Sequence, residues 1–579
     1  MTADRRPSRS FEPNASRTVT TADGVVAHQG HLAQNEVLAR RLYTVRPGVW
    51  CLVGNGLSNQ TFIDAPDGII AIDTGESAQE MRAALAELRT VTDRPIAAVV
   101  YTHFHYVAGT VAVLEEPGHA EPLPVHGHAR IALNRARTGG EIAPAYGRGL
   151  IEQFAISLPD TGPDSCPNVG LGFFFRDPAH APFTPGHLPV THPFDAVCTV
   201  HVAGLEMRVH PAPSDADDSV TLWFPTIGTA VNNLVWPVLF NVFAIRGEEY
   251  RDPQVMLAGI DHLLSLHAEH LVGAHGPPIS GSHEIEHRVT RYRDSIQFLW
   301  DQTVRLTNQG LDSVELAHAI RLPEHCDDDH LTSEQYGVAE HHVRQIRSGL
   351  FGFFDGDPAN LFPLPPADRA QRMIAGFGGR DSVRTQCRAA IDTDDLRWAI
   401  DLASWLVRTA PAGADGDDDR RLLAGALRLV AQRTSAANIR SWCLTRALSL
   451  EGSIDMSRTR QHRLQPRNVT ADPVAATHTL RVLLVPERAE GVDAVLAFDF
   501  GEHGTTALHV RNSVAVPLPD RDRTDAAATL RCAAQVWADI LGGRTTLAEA
   551  VASGTVMIDG DRTAAHAALN CFDVKGVQQ

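Results

Sequence analysis

Two histidines, His103 and His105, are the residues of this sequence that most clearly suggest chemistry. They lie two positions apart, shortly after the apolar, β-branched run 96–100, which predicts a short buried strand. Neutral imidazole is a common ligand of zinc and related metals, so two of them at one strand end could bind a single ion. The alternative is a pair of ordinary polar histidines in a loop, because an HxH pair alone has little specificity.

Other predicted strand ends carry groups of the same kind. The apolar run 68–72 is followed by Asp73, and the run 271–273 leads to His275. An acidic loop at 215–218 directly precedes another predicted strand. A metal ligand and a solvated turn are the two interpretations of this loop.

This arrangement of a strand-end Asp, an HxH pair and a late His-Gly resembles the metallo-β-lactamase superfamily, and more narrowly its alkyl sulfatase (type III sulfatase) branch. The most specific signature is the string YG…LFGFFDGDPANLFPLPP at 336–366. The resemblance covers most of the chain and implies an α/β fold, a metallo-β-lactamase-like αββα sandwich. An all-α dimerisation domain and a C-terminal α+β domain similar to sterol carrier proteins are expected to follow it.

Changes of pattern along the chain suggest where these domains begin and end. The polar N-terminal stretch lacks periodicity, strand and helix patterns then alternate, and a long helical block precedes a polar linker. In the last region we predict strands at 479–485, 494–500 and 506–511. We therefore divide the chain into a flexible N-terminal arm (1–40), a metallo-β-lactamase-like catalytic domain (41–285), a helical alkyl-sulfatase-type dimerisation domain (286–450) and a sterol-carrier-protein-like domain (476–579).

Three positions depart from the family pattern, and all of them belong to its second metal. The superfamily motif is HxHxDH, but Val107 and Ala108 stand at the positions of its Asp and last His. Asn232 stands where alkyl sulfatases carry a bridging Glu, and an uncharged amide is a poor metal bridge. The resemblance therefore implies one metal per chain, most simply zinc, with another divalent metal as the alternative.

The resemblance also assigns roles to individual residues. It makes Asp215 the third ligand beside His103 and His105, with Asp218 as the alternative if the loop is shifted in register. His275 is the one second-site ligand that remains. It is expected to be either a fourth ligand of the same ion or, freed from the metal, a general acid or base.

Two further residues are expected to contact the substrate. Arg246 stands in an Arg-Gly pair that holds the sulfate group in alkyl sulfatases, and the guanidinium fork suits a tetrahedral oxyanion. A surface ion pair is the alternative for Arg246. Tyr146 lies in the segment 139–172, which we predict to be a long loop. This segment is similar to the stretch that lines the substrate pocket of alkyl sulfatases.

Together these features predict a metal-dependent hydrolase that cleaves the sulfate ester of an apolar alkyl substrate. Because half of the two-metal centre is missing, the first alternative is an enzyme of the same fold that carries out a different hydrolysis, or an elimination, on a related substrate. A non-catalytic, dimeric lipid-binding protein is the second alternative.

Composition limits the partners and the location. The chain has 51 basic and 69 acidic residues and a net charge of −18, which argues against nucleic-acid binding. No stretch approaches the ~20 apolar residues that span a bilayer, and the N-terminus lacks the apolar core of a secretory signal, so we expect a cytoplasmic protein. Eight scattered cysteines without a CxxC motif indicate reduced thiols. The helical block is expected to form a homodimer.

Overall fold

The structure is a computed structural model that describes residues 10–411, 413–462, 464–518 and 525–578. These residues form two compact units, one within 10–132 and 149–456 and the other within 133–148 and 457–578. In the described part of the chain, every helix is too short or too polar to cross a bilayer. None of the eight cysteines, all of which lie in these ranges, forms a disulfide.

Residues 10–40 are folded as part of the first unit, in contrast to the flexible arm expected for residues 1–40. They contain β1 (Thr18–Thr20), β2 (Val26–His28) and α1 (Gln29–Leu38). The buried Arg440 donates a hydrogen bond to the Val26 carbonyl (2.8 Å), and Gln34 is buried as well. These polar residues pack through buried hydrogen bonds, which a hydropathy pattern does not reveal. The first nine residues lie outside the described ranges.

The first sheet of the sandwich has seven strands that follow one another in chain order. They are β3 (Arg41–Arg46), β4 (Val49–Val53), β5 (Gln60–Ala65), β6 (Gly68–Ile72), β7 (Ile96–Val100), β8 (Val125–His128) and β9 (His192–Phe194). The strands from β3 to β6 pair antiparallel, and those from β6 to β9 pair parallel. The central strands β6 and β7 are almost wholly buried, as their apolar runs predict.

The second sheet has six strands, also in chain order. They are β10 (Cys198–Val202), β11 (Leu205–Pro211), β12 (Val220–Phe224), β13 (Thr229–Asn232), β14 (His270–Gly273) and β15 (Ile279–Ser280). Its neighbours pair antiparallel except β13 and β14, which are parallel. Apolar side chains of both sheets share one core, in which Ile70 and Val100 of the first sheet join Met207 and Leu222 of the second.

Helices cover the outer faces of both sheets. The chain segments between the strands contain α2 (Ala78–Leu88), α3 (Ile131–Gly139), α4 (Ala143–Gln153) and α5 (Pro253–Ser265), and residues 133–148 of α3 and α4 belong to the second unit. Met81 of α2 packs on the first sheet, and Ile260 of α5 packs in the core on the other side of the second sheet. The predicted αββα sandwich is therefore confirmed. The segment 139–172 is not wholly a loop, because α4 occupies part of it.

The region that follows the sandwich is all-α, as predicted. Its helices are α6 (Ser282–Thr307), α7 (Ser313–Ala319), α8 (Ala339–Phe351), α9 (Pro366–Gly376), α10 (Arg380–Asp392), α11 (Leu396–Arg408), α12 (Ala414–Arg433) and α13 (Ala437–Leu450). Tyr292 of α6 is fully buried and donates its hydroxyl proton to the Leu234 carbonyl (3.0 Å), just after β13. The helical region and the sandwich thus share a core.

The second unit contains a five-stranded sheet in the order β18-β17-β16-β19-β20. Its elements are α14 (Pro466–Ala471), α15 (Pro473–Thr479), β16 (Ala494–Asp499), β17 (Thr505–Arg511), β18 (Val514–Leu518), β19 (Ala528–Cys532), α16 (Ala534–Leu541), α17 (Leu547–Ala552), β20 (Val556–Gly560) and α18 (Arg562–Leu569). The α+β class and the strands predicted at 494–500 and 506–511 are confirmed. The strand predicted at 479–485 is wrong, because α15 starts at Pro473 and a short 3-10 helix, Leu480–Leu483, continues from it. The similarity to sterol carriers stays a prediction.

Glu80, in the first turn of α2, is a buried carboxyl of the first unit. Only 2% of it is exposed, and it accepts hydrogen bonds from Gln60 Nε2 (3.0 Å) and from the backbone N–H of Glu76 (3.1 Å). Burial, with a further contribution from the charge of Glu76, raises the pKa of Glu80 from 4.5 to about 8. The folded state therefore binds this proton more tightly than the unfolded state, and the free energy of unfolding falls as the pH rises between these two values.

We expect the free energy of unfolding of the wild type to decrease, relative to that of a Glu80→Gln variant, as the pH rises from about 5 to about 8. The slopes of the two free energies of unfolding against pH differ by up to about 1.4 kcal/mol per pH unit, because glutamine stays neutral over this range. Denaturant unfolding at several pH values measures it, and any pH-independent cost of the substitution cancels in the slope. Parallel pH profiles for the two proteins would contradict a buried, titrating Glu80.

Candidate metal centre

The end of β7 positions the two histidines. Next to His103, Thr102 donates its backbone N–H (2.9 Å) and its hydroxyl proton (2.6 Å) to the Asp73 carboxylate. The Thr102 hydroxyl oxygen lies 2.8 Å from His103 Nδ1. Because the hydroxyl proton goes to Asp73, this oxygen accepts the Nδ1 proton of His103, which leaves the lone pair on Nε2. His105 follows in a single turn of 3-10 helix, Phe104–Tyr106.

Asp215 reaches the histidines from the loop between β11 and β12. Its Oδ2 atom lies 3.1 Å from His105 Nδ1 and 3.7 Å from His103 Nε2. Its Oδ1 atom accepts a hydrogen bond from Asn233 Nδ2, at the end of β13. One ligand atom from each of His103, His105 and Asp215 lies within 4.8 Å of the others, which is close enough for one metal ion.

The charges in this group suit metal binding. Burial lowers the pKa of His103 to about 3, so this imidazole is neutral. Burial alone would lower the pKa of His105 as well, but the carboxylates of Asp215 and Glu248 raise it to about 9. Burial likewise opposes ionisation of Asp215, yet the two histidines hold the pKa of its carboxyl well below the ordinary value. His103 and Asp215 are therefore in the forms that bind metal, whereas His105 has to release one proton when a metal binds.

His103 Nε2 provides a test of whether these residues fit a metal. This nitrogen is buried, carries a lone pair and has no hydrogen-bond partner among the described residues. A buried polar atom without a partner costs free energy, and a cation at this place would remove that cost. Two imidazoles and one carboxylate are also a donor set that zinc uses. The residues present therefore fit a divalent metal ion.

Two of the five predicted ligands lie outside this group. Asp218 is fully buried, but among the described residues it does not belong to the cluster. The structure therefore does not support Asp218 as the alternative third ligand. His275 donates its Nδ1 proton to the Leu57 carbonyl (2.9 Å), and its Nε2 atom accepts a hydrogen bond from the Tyr106 hydroxyl (3.2 Å). The nitrogen that would bind an ion is thus engaged by Tyr106. Burial lowers the pKa of His275 to about 4.

The structure places Arg246, one of the two predicted substrate contacts, beside the cluster, but it does not test the other, Tyr146. Arg246 has a side chain that is 6% exposed, and it forms an ion pair with Glu248, whose Oε1 atom lies 3.6 Å from His105 Nε2. Burial opposes ionisation of Glu248, but Arg246 and His105 lower the pKa of its carboxyl to about 2. Tyr146 lies on the part of α4 that belongs to the second unit, so its role at the site stays a prediction.

Three neighbours of the site were not predicted as functional: Tyr106, Asn233 and Glu248. Tyr106 directly follows the HxH pair. Glu248 stands two residues after Arg246, which itself follows the nearly unbroken apolar run 239–245. An ionisable side chain in either place is a signal that could have been used. Asn233 is the second of two strand-end amides, and only the fold shows that it contacts Asp215.

Comparisons with known proteins agree with this architecture. Family models match for the metallo-β-lactamase superfamily (residues 53–201), alkyl sulfatase dimerisation (312–453) and the alkyl sulfatase C-terminal domain (475–576).

Similar proteins cover almost the whole chain. A linear primary-alkylsulfatase from a Pseudomonas species is 32% identical over 532 residues, which is 88% of this chain and 98% of the relative. An (R)-specific secondary-alkylsulfatase, also from Pseudomonas, is 28% identical over 93% of this chain and 82% of its own length. The structure of a double mutant of the sec-alkyl sulfatase PisA1 superposes with a TM-score of 0.83 at 25% identity, covering 96% of this chain and 91% of that one. This chain therefore belongs to the alkyl sulfatase family of the metallo-β-lactamase superfamily.

Proposed function

We propose that the protein hydrolyses the sulfate ester of an apolar alkyl chain and uses one divalent metal ion per chain, most simply zinc. Membership in the alkyl sulfatase family supports the reaction. The observation that carries the single-metal proposal is the compact group of the buried His103 and Asp215 with the partly buried His105. The comparisons favour neither elimination nor a non-catalytic lipid-binding role, and we do not propose them.

The surroundings of His275 support a single ion. The Tyr106 hydroxyl lies at its Nε2 atom, and Val107 is a fully buried aliphatic residue. Asn232 binds backbone groups: its Oδ1 atom accepts two N–H groups of the following turn (2.9 and 2.8 Å), and its Nδ2 atom donates to a carbonyl of β14 (3.0 Å). These side chains serve packing and hydrogen bonding rather than a second ion.

When bound, the metal supplies Lewis-acid polarisation of a sulfate ester oxygen or lowers the pKa of water to about 7. The remaining chemistry falls to the chain's own groups. The Arg246 cation provides positive charge for the sulfate group, in a buried site where such charge acts strongly. Because His275 donates its Nδ1–H to the Leu57 carbonyl, its Nε2 atom carries the lone pair, and a proton reaches that atom by way of the Tyr106 hydroxyl that donates to it.

Aromatic side chains beside Arg246 suit an apolar substrate. The Arg246 guanidinium lies 5.7 Å from the centre of the Phe154 ring, which stacks on Phe175 with a centroid distance of 4.8 Å. Tyr336 faces Phe154 at 6.5 Å. A sulfate held near Arg246 would therefore have apolar surface next to it for an alkyl chain.

We further propose that the protein is a homodimer that associates through its helical region. The stretch 350–364 exposes large apolar side chains, with Phe353 88% and Phe362 82% exposed. Aromatic side chains exposed to this extent in one short stretch are typical of protein interfaces. The family model that matches 312–453 is that of alkyl sulfatase dimerisation. A cytoplasmic location stays a prediction from the sequence.

Elemental analysis of protein purified without chelator tests the metal centre. We expect about one equivalent of zinc per chain in the wild type. A His103→Ala/His105→Ala variant should contain none and should release no sulfate from a long-chain alkyl sulfate. The organic product identifies the reaction, since hydrolysis yields the alcohol and elimination yields an alkene.

The exposed pair His283 and His287 on α6 offers a matched control. The variant His283→Ala/His287→Ala should keep both the metal and the activity. A metal-free wild type, or a metal that disappears in the control variant and persists in the first, would refute the proposed centre.

Light scattering after size exclusion tests the dimer. The wild type should have twice the chain mass of 62.8 kDa, and a Phe353→Glu/Phe362→Glu variant should have the mass of one chain, because two buried charges destabilise an apolar interface. Val197, which is 68% exposed outside the helical region, provides the control Val197→Glu, which should remain dimeric. A dimeric double variant would place the interface elsewhere.

A further inference from the structure

Glu248 contacts two side chains of the site, Arg246 and His105. Its side chain is 9% exposed, and its Oε1 atom pairs with the Arg246 guanidinium on one side. On the other side the same oxygen lies 3.6 Å from His105 Nε2. A carboxylate is seldom buried in proteins unless it is paired, and here Arg246 supplies a cation and His105 Nε2 a second nitrogen partner.

The two nitrogens of His105 face different carboxylates. Nδ1 lies 3.1 Å from Asp215 Oδ2, the oxygen that His103 Nε2 also approaches at 3.7 Å. Nε2 instead faces Glu248. Nδ1 is therefore the nitrogen that faces the candidate metal, and the proton of the neutral ring must stay on Nε2 if Nδ1 is to keep its lone pair. The partner of the second nitrogen commonly decides which tautomer a ligating histidine adopts.

We propose that Glu248 is a positioning residue that holds the Nε2 proton of His105 and so keeps Nδ1 directed at the metal. Arg246 fixes the Glu248 carboxylate in turn, which makes Arg246 part of the support of the centre as well as a charge for the substrate. This inference rests on the proposed single-metal centre. It adds a carboxylate to the residues on which metal affinity depends.

The opposite interpretation is that Glu248 is an internal anion that competes with the sulfate group for Arg246. The two interpretations predict different effects of removing the carboxylate. Competition predicts a lower KM for the alkyl sulfate with unchanged metal affinity, because the guanidinium is released. Positioning predicts weaker metal binding with an unchanged KM once the metal site is saturated. The contact of Glu248 with His105, and not only with Arg246, favours positioning.

Zinc affinity, measured by competition with a chromophoric chelator, tests the proposal. In Glu248→Gln and Glu248→Ala we expect the Kd for zinc to rise about 10- to 100-fold over the wild type. Glu248→Asp keeps the carboxylate and should recover part of the affinity. The matched control is Glu249→Gln, the same substitution at the exposed neighbouring residue, which should bind zinc as the wild type does.

Cobalt substitution adds a readout that a general loss of stability would not produce. The visible absorption bands of the cobalt form should change in Glu248→Gln and not in Glu249→Gln, since they report the ligands around the ion. Excess zinc should restore turnover of Glu248→Gln with the KM of the wild type.

Equal zinc affinity and equal cobalt spectra in wild type and Glu248→Gln would overturn the inference and leave the metal centre standing. A lower KM at unchanged affinity would overturn it in favour of competition with sulfate. A wild type that binds no zinc and no cobalt would overturn the single-metal function and this inference together.

Discussion

The buried carboxylate of Asp215 is the group on which the rest of the site depends. An ionised carboxylate at 6% exposure is costly unless it is paired and hydrogen-bonded. Here two imidazoles approach one oxygen, and Asn233 donates to the other. The histidines follow a strand of the first sheet, and Asp215 lies in a loop of the second. A hydrogen bond from the Val220 N–H to the Thr102 carbonyl (3.1 Å) joins the two sheets beside the cluster. The cluster therefore forms only when the two sheets are in register with each other.

The same reasoning applies to Val107, Ala108 and His275, which the proposed single-metal centre leaves without an ion. The backbone of Ala108 pairs with Gly75, and Val107 packs in the apolar core beside it. His275 would be left with a buried nitrogen lacking a partner, which is costly, but the Tyr106 hydroxyl donates to that nitrogen. The Tyr106 ring also lies edge-on to His103, with a centroid distance of 5.0 Å. In the proposed single-metal centre, Tyr106 thus satisfies the nitrogen of His275 by a hydrogen bond and packs against His103.

The parts of the site that neighbours in sequence determine could be predicted, and the parts that depend on distant loops could not. The HxH pair follows from its position after a strand, and the family resemblance adds Asp215 from the loop before the next strand. The contact between Tyr106 and His275 joins residues 169 positions apart. The contact of Glu248 with His105 likewise depends on the path of the loop between β13 and α5. The run 479–485 shows that prediction from local sequence can also fail for secondary structure. Its apolar pattern suits a strand, but Asp472 caps a helix that continues into it.

The helical region takes part in the site as well as in the proposed dimer. Gln153 donates to the Tyr336 hydroxyl (2.7 Å) and accepts the backbone N–H of Arg246 (3.2 Å), so a residue just before α8 helps to position the arginine. Trp236, which follows β13, packs edge-on to Tyr336 at 6.2 Å. The opposite end of α8 is Phe351, where the exposed apolar stretch begins. Association of two chains at that stretch would restrain α8 at one end and steady Tyr336, and with it Arg246, at the other.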